Sequence, residues 1–264
     1  MRIAIAIPAR YGSTRFAGKP LALIGGRSML SRVVDLARSV AAGYDDIDVF
    51  VTTEDARIAD HAAEIGVECV VTDDSFETGS DRVLGALKIS GKQPDFVLNL
   101  QGDAPFTPPE ALHALIAGAR EHSSADVITP VHRLRWGDLD RLRESKKVTP
   151  FSGTTAVMDA DGRAIWFSKN IIPAIRKEEA LREASDVSPV RQHMGLYGYR
   201  MAALERFCAL PVGHYEALEG LEQLRMLENG MHIQCVEIDV DAGAMQSGID
   251  TPEDLARAEA RLKA

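Results

Sequence analysis

The sequence predicts an α/β fold, a Rossmann-like, mixed and mostly parallel sheet with helices on both faces. Three observations predict it. Short apolar runs at residues 3–7, 47–52, 67–71 and 95–100 read as buried strands. Segments with apolar residues at helical spacing alternate with them, which favours parallel pairing. Polar, glycine-containing loops follow several of the runs directly, where parallel sheets bind ligands.

The elements follow in chain order. Residues 3–7, Ile-Ala-Ile-Ala-Ile, form the first strand, and a polar loop runs from Ala9 to Lys19. Met29, Leu30, Val33, Val34, Leu36, Ala37 and Val40 mark a helix over 28–41. Residues 47–52 are the next strand, 54–65 a helix ended by Gly66, and 67–71 a third strand. Residues 95–100 form a fourth, running straight into Gln101-Gly102-Asp103. Thr107-Pro108-Pro109-Glu110 opens a helix with Thr107 as cap, and Thr251-Pro252-Glu253-Asp254 opens the last one similarly. The loops after Ile7, Thr52 and Leu100 should share one rim. Residues 131–215 are less regular. They mix basic loops, strands at 153–158 and 194–200, and a charged stretch at 176–191. They read as an elaboration within a single 1–264 domain, carrying substrate contacts and a dimer surface.

Composition narrows the function. Hydrophobic residues are 45% and charged residues 26% of 264, the proportions of a soluble globular protein. A net charge of −9 argues against a general nucleic-acid or anionic-membrane binder. No apolar stretch approaches the roughly 20 residues that span a bilayer. The opening apolar run breaks at Pro8 and makes a poor signal peptide. Cys69, Cys208 and Cys235 form no CxxC, so they read as core thiols in a reducing cytoplasm.

The first loop carries the strongest chemistry. It reads Pro8-Ala9-Arg10-Tyr11-Gly12-Ser13-Thr14-Arg15-Phe16-Ala17-Gly18-Lys19-Pro20. Backbone N–H groups of such a loop cradle phosphates, and Arg10, Arg15 and Lys19 neutralise their charge. It is neither a Walker loop nor a GxGxxG turn. Asp103 ends an apolar strand, where a carboxylate must face a ligand or a cation. Alone, Asp250 reads as a turn or cap residue, Glu54 and Asp55 as first-turn acids, and His193 as an ordinary satisfied histidine. His193 and Tyr197, four apart, would share a face on one strand. Histidines 61, 113, 122, 132, 214 and 232 lack metal-ligand spacing.

The loop's PARxxSTRxxGKP pattern resembles the opening of sugar-acid cytidylyltransferases, most closely the 3-deoxy-manno-octulosonate (Kdo) cytidylyltransferase family. The likeness continues in order through Thr53-Glu54-Asp55, Thr78-Gly79-Ser80-Asp81-Arg82, Gln101-Gly102-Asp103-Ala104-Pro105, Trp166-Phe167-Ser168-Lys169, His193-Met194-Gly195-Leu196-Tyr197, Leu221-Glu222-Gln223-Leu224-Arg225 and Ser247-Gly248-Ile249-Asp250. It covers nearly the whole chain, and the order is far more specific than any one motif.

The resemblance implies a single nucleotidyltransferase domain of the nucleotide-diphospho-sugar transferase type. It implies transfer of CMP from CTP to the anomeric hydroxyl of a 2-keto sugar acid, Kdo, with release of pyrophosphate. Ala9, Arg10, Ser13, Thr14, Arg15, Lys19, Thr53, Ser80, Arg82 and Gln101 are then expected at the nucleotide. Gln101 would lie between nucleotide and sugar, and Lys169, His193, Tyr197, Glu222 and Gln223 at the sugar acid. Asp103 and Asp250 would hold Mg²⁺, and Arg15 and Lys19 the departing pyrophosphate. A homodimer is also implied. Three departures from the family pattern stand out. Ala104 replaces a Glu, Lys169 replaces an Arg, and residues 149–155 interrupt the usual run after Val148. Alternatives are the same chemistry on an amino-Kdo or nonulosonic acid, a sugar-phosphate nucleotidyltransferase using another NTP, and a catalytically silent nucleotide-binding protein.

Overall fold

The structure, a computed structural model, describes residues 1–12, 16–76, 78–240, 248–249 and 251–262. The chain separates into two compact units, one of residues 1–109 with 246–264, the other of residues 110–245.

The first unit holds β1 (Ile3–Pro8), the short hairpin β2 (Leu23–Ile24) and β3 (Arg27–Ser28), and α1 (Met29–Ala41). Then come β4 (Ile47–Thr53), α2 (Ala56–Glu64), β5 (Glu68–Val71), α3 (Gly79–Ser90) and β6 (Phe96–Asn99). The strands pair in the order β5-β4-β1-β6, all parallel. All six residues of β1 are buried, as a central parallel strand requires. Parallel register brings the carboxyl ends together, as expected. Pro8 pairs with Thr52, Ala9 N–H donates to the Thr52 carbonyl at 2.9 Å, and Gly102 N–H to the Pro8 carbonyl at 3.2 Å. A Cβ on Gly102 would sit 2.9 Å from that carbonyl oxygen, so the two loops meet only because the residue is glycine.

The second unit comprises α4 (Pro109–Glu121), β7 (Val127–Arg135), α5 (Trp136–Val148), β8 (Thr154–Met158), β9 (Ala164–Ser168) and α6 (Glu178–Ala184). It continues with β10 (Val187–His193), β11 (Tyr197–Arg200), α7 (Met201–Ala209), α8 (His214–Glu219), α9 (Glu222–Glu228) and β12 (Ile233–Glu237). Here β10 and β11 run antiparallel to β7, β8 antiparallel to β10, and β9 antiparallel to β8, while β12 is parallel to β7. These pairings supply the antiparallel part of a mixed fold. The last helix, α10 (Pro252–Leu262), belongs to the first unit, where Ile249 and Ala258 pack with Ile24 and Met29.

Several boundaries differ from expectation. Asp55, not Glu54, begins α2. Its carboxylate caps Arg57 N–H at 2.9 Å, which frees Glu54 for other work. Thr107 does not cap α4. Its hydroxyl donates to the Ala104 carbonyl at 3.0 Å and closes the turn behind Asp103. Thr251 does cap the last helix, accepting from Asp254 N–H at 3.2 Å. The expected strand at 194–200 is divided, because β10 ends at His193 and β11 begins at Tyr197. The charged middle also holds α5 and β10. Only Trp136 and Leu139 of α5 are buried, too few for a clear helical pattern.

Among the described residues, no helix is long and apolar enough to cross a membrane. All three cysteines are free thiols.

Candidate active site

The first unit places Lys19 and Asp103, two of the expected site residues, side by side beyond its strand ends. Gly18 adopts a left-handed conformation with φ of 70° and turns the chain into Lys19. Lys19 is buried, and its Nζ lies 2.6 Å from Asp103 Oδ2. Asp103 keeps about a third of its side chain exposed. It lies in the turn that follows β6, four residues past the strand's last residue, Asn99. Ile249 N–H donates to the Asp103 carbonyl at 3.0 Å. A Cβ on Gly248 would lie 3.3 Å from Asp103 Oδ1. Asp250, Ser13, Thr14 and Arg15 lie outside the described residues.

Behind this loop is a carboxylate–guanidinium brace. Tyr11 N–H donates to Glu54 Oε1 at 3.3 Å, and Arg82 Nη1 lies 2.9 Å from Glu54 Oε2 as an ion pair. Arg82 Nη1 also donates to Thr72 Oγ1 at 2.6 Å. Arg82 is only 1% exposed. Enclosed on all sides, its guanidinium supports the loop from beneath. Burial lowers its pKa, with the Glu54 carboxylate opposing. Arg10 donates to the Phe76 carbonyl. Arg57 stacks on the Tyr11 ring, 3.3 Å from its centroid.

Ser80, Gln101 and Thr53 sit nearby in the same unit. Thr53 is buried, and its hydroxyl accepts from Asp55 N–H at 3.2 Å. Thr78 caps α3 through a reciprocal bond pair with Asp81. Asn99, which the sequence reading missed, links two expected residues. Its Nδ2 donates to Ser80 Oγ at 3.2 Å, and its Oδ1 accepts from Gln101 Nε2 at 3.3 Å. A polar residue closing the apolar run 96–99 was the available signal.

The second unit gathers the expected sugar-acid residues. His193 and Tyr197 lie on different strands, yet their rings are 5.5 Å apart because both strands pair with β7. Thr129, another residue not foreseen, donates its one hydroxyl proton to the Leu196 carbonyl at 2.8 Å. Its oxygen is 2.8 Å from His193 Nε2, so that nitrogen must be the donor. The neutral ring therefore presents Nδ1 as an acceptor. Burial holds the His193 pKa down at about 3, with Lys169 adding repulsion. Tyr197 OH donates to Gln223 Oε1 at 2.9 Å, and burial raises the tyrosine pKa well above its ordinary value. Gln223 Nε2 is buried without a hydrogen-bond acceptor. Gln223 and the half-buried Glu222 open α9. Lys169 follows β9, half-buried, and burial pulls its pKa below the lysine norm. Two cavities of about 730 and 670 Å³ include none of these residues.

One carboxylate beside solvent fits a hard cation that keeps water and phosphate in its shell. No cluster of three or more ligating side chains occurs among the described residues.

A family model described as cytidylyltransferase matches residues 4–233. A 3-deoxy-manno-octulosonate cytidylyltransferase of Maricaulis maris (strain MCS10) is 42% identical over 264 residues, covering 100% of this chain and 98% of that protein. One from Anaeromyxobacter sp. (strain Fw109-5) is 41% identical over 264 residues, with the same coverage. Among solved structures, a CMP:2-keto-3-deoxy-manno-octonic acid synthetase complexed with CTP is 29% identical at a TM-score of 0.84, covering 100% of this chain and 99% of that one. The fold is therefore the mixed α/β fold of the nucleotide-diphospho-sugar transferases, the class the sequence implied. Within that class, the chain belongs to the 3-deoxy-manno-octulosonate cytidylyltransferase family of nucleotidyltransferase enzymes.

Proposed function

We propose that this protein transfers CMP from CTP to the anomeric hydroxyl of Kdo and releases pyrophosphate, in the supply of CMP-Kdo to lipopolysaccharide or capsule. The observation that carries this reading is the Lys19–Asp103 pair at the strand ends, which joins a phosphate-binding cation to a metal-binding carboxylate.

The nucleotide belongs to the first unit's residues. Arg10, Arg15 and Lys19 neutralise the triphosphate, and main-chain N–H groups beside them would bind its oxygens. Lys19 stays with the pyrophosphate as its charge grows. Asp103 and Asp250 would hold Mg²⁺, which would supply charge neutralisation at the phosphates. Ser80 and Thr53 flank the base, and Gln101 serves both substrates.

The acid belongs to the second unit's residues. Lys169 faces its carboxylate, and His193 Nδ1 accepts from a hydroxyl. Gln223 Nε2 donates to a sugar oxygen, which would give that buried amide its partner. Tyr197 holds the Gln223 amide in the required orientation. Positioning and charge stabilisation then account for the rate. We further propose a cytoplasmic homodimer, with residues 131–215 contributing the contact.

The test is a pyrophosphate-release screen crossing CTP, UTP, GTP and ATP with Kdo, amino-Kdo and nonulosonic acids. CTP with Kdo should turn over fastest. Equal rates with UTP would overturn the cytidylyl assignment, and faster turnover of another acid would reassign the acceptor. Light scattering at micromolar concentration tests the dimer, and a monomer refutes it.

A further inference from the structure

Two of the departures from the family pattern, Lys169 and the 149–155 segment, meet at one ammonium group in the second unit. Lys146, near the end of α5, donates to the Lys169 carbonyl at 2.6 Å and the Gly153 carbonyl at 2.9 Å. The Ser152 carbonyl at 2.5 Å and the Pro150 carbonyl at 3.4 Å complete the cage. Three N–H groups are thus shared among four carbonyls. The turn at 150–153 and the end of β9 hang on the same cation.

Glu219 grips the other side. Its Oε2 accepts from Lys169 N–H at 2.6 Å, and the carboxylate accepts from Ser168 Oγ at 3.0 and 3.1 Å. Ser168 Oγ in turn accepts from Asn170 N–H at 2.9 Å. The Lys169 residue is therefore held at both main-chain groups by opposite charges, its N–H by a carboxylate and its C=O by an ammonium. Both charged groups are half-buried, which strengthens such bonds.

Each gripping charge is thereby engaged on the main chain. Among the described residues, neither forms an ion pair with the Lys169 ammonium, which has no hydrogen-bond or ion-pair partner there. The ammonium is half-buried, and burial outweighs the opposing pull of the Glu219 carboxylate, so it favours an anion. A lysine lacks the planar fork that would orient a carboxylate by itself. Its direction must come from its backbone.

We propose that Lys146 and Glu219 are positioning residues that fix the main chain of Lys169, and that the 150–153 turn reaches sugar-acid selectivity through Lys146. This rests on the reading of Lys169 as the carboxylate-binding cation.

The experiment measures kcat and KM for Kdo and for CTP in wild type, Lys146→Met, Glu219→Ala and Glu219→Gln, with thermal unfolding of each. Wild-type turnover with Kdo, lost in Lys169→Met, is established first, and failure there overturns the functional reading and this proposal with it. Given that turnover, Lys146→Met and Glu219→Ala should raise the Kdo KM about tenfold or more, since small displacements of a positioned group are costly. The CTP KM should stay within about twofold. Glu219→Gln, which keeps an acceptor oxygen, should recover part of the loss. An unchanged Kdo KM in Lys146→Met, or CTP and Kdo KM values rising together, would overturn the proposal while leaving the functional reading intact. Should Glu219→Ala fail to fold, Glu219→Gln and Lys146→Met decide the matter alone.

Discussion

Lys19 Nζ lies 2.6 Å from Asp103 Oδ2, across 84 positions of sequence. The lysine side chain is 10% exposed and the aspartate 31%. The cation is thus the enclosed partner, and the carboxylate is the one that faces solvent. Under the proposed function, a triphosphate with its divalent cation would offer each a new partner, the phosphates for Lys19 and the metal for Asp103.

Asp103→Asn removes a charged oxygen ligand and the carboxylate charge that pairs with Lys19. Turnover should fall at least about tenfold, more steeply at limiting magnesium. Asp250→Asn should behave similarly. Pyrophosphate release measured against magnesium concentration checks both, and full activity at limiting metal removes the residue from the site.

Thr129 sets the tautomer of His193 by accepting from Nε2. Thr129→Val keeps the shape and removes that acceptor, so Nε2 loses its partner and Nδ1 is no longer the preferred acceptor face. The Kdo KM should rise about five- to tenfold, the loss of roughly one hydrogen bond. The CTP KM should move little. Equal changes in both values would show that Thr129 does not act through the histidine.

His132 is buried with neither ring nitrogen hydrogen-bonded. Burial lowers its pKa to about 4, against a smaller opposing pull from Asp138. The folded pKa lies below the unfolded value near 6.5, so this neutral ring's full contribution is present above that value. It is lost as pH falls from about 6.5 toward about 4, because only the unfolded chain takes the proton readily. The loss should reach about 2 kcal/mol by pH 5. Urea unfolding at pH 7.5 and 5 should show a smaller pH effect in His132→Leu than in wild type. His193 has the same sign and leaves a residual slope at lower pH.

Lys169→Arg restores a planar, two-pronged donor to a half-buried position. The ratio of kcat/KM between Kdo and its analogues should shift roughly 10- to 200-fold, the span of a pocket contact of about 1–3 kcal/mol. The nucleotide KM should change less. A ratio constant for every acid would strike Lys169 from the site.

The strands 3–7, 47–52, 67–71 and 95–100 were legible because central parallel strands are nearly continuous apolar runs. The first loop was legible because glycines, hydroxyls and cations directly follow such a strand. Asp103 was legible as a carboxylate ending an apolar segment. These are local patterns, and the sequence by itself determined them. The order of its motifs also determined the family. The partners of those residues needed the fold. Arg82 reads as an available cation until Glu54, Thr72 and the Asp73 carbonyl enclose it. Asn99, Thr129, Lys146 and Glu219 carry no motif, because each acts on a group 19 to 64 positions away or on a turn with no periodic signal. In α5 the charged exterior hides a helix that buries two side chains. Periodicity reports which face of an element is apolar. It does not report which distant hydrogen-bond donor or acceptor a folded chain brings within 3 Å, and that contact sets the protonation, tautomer and direction of a polar group.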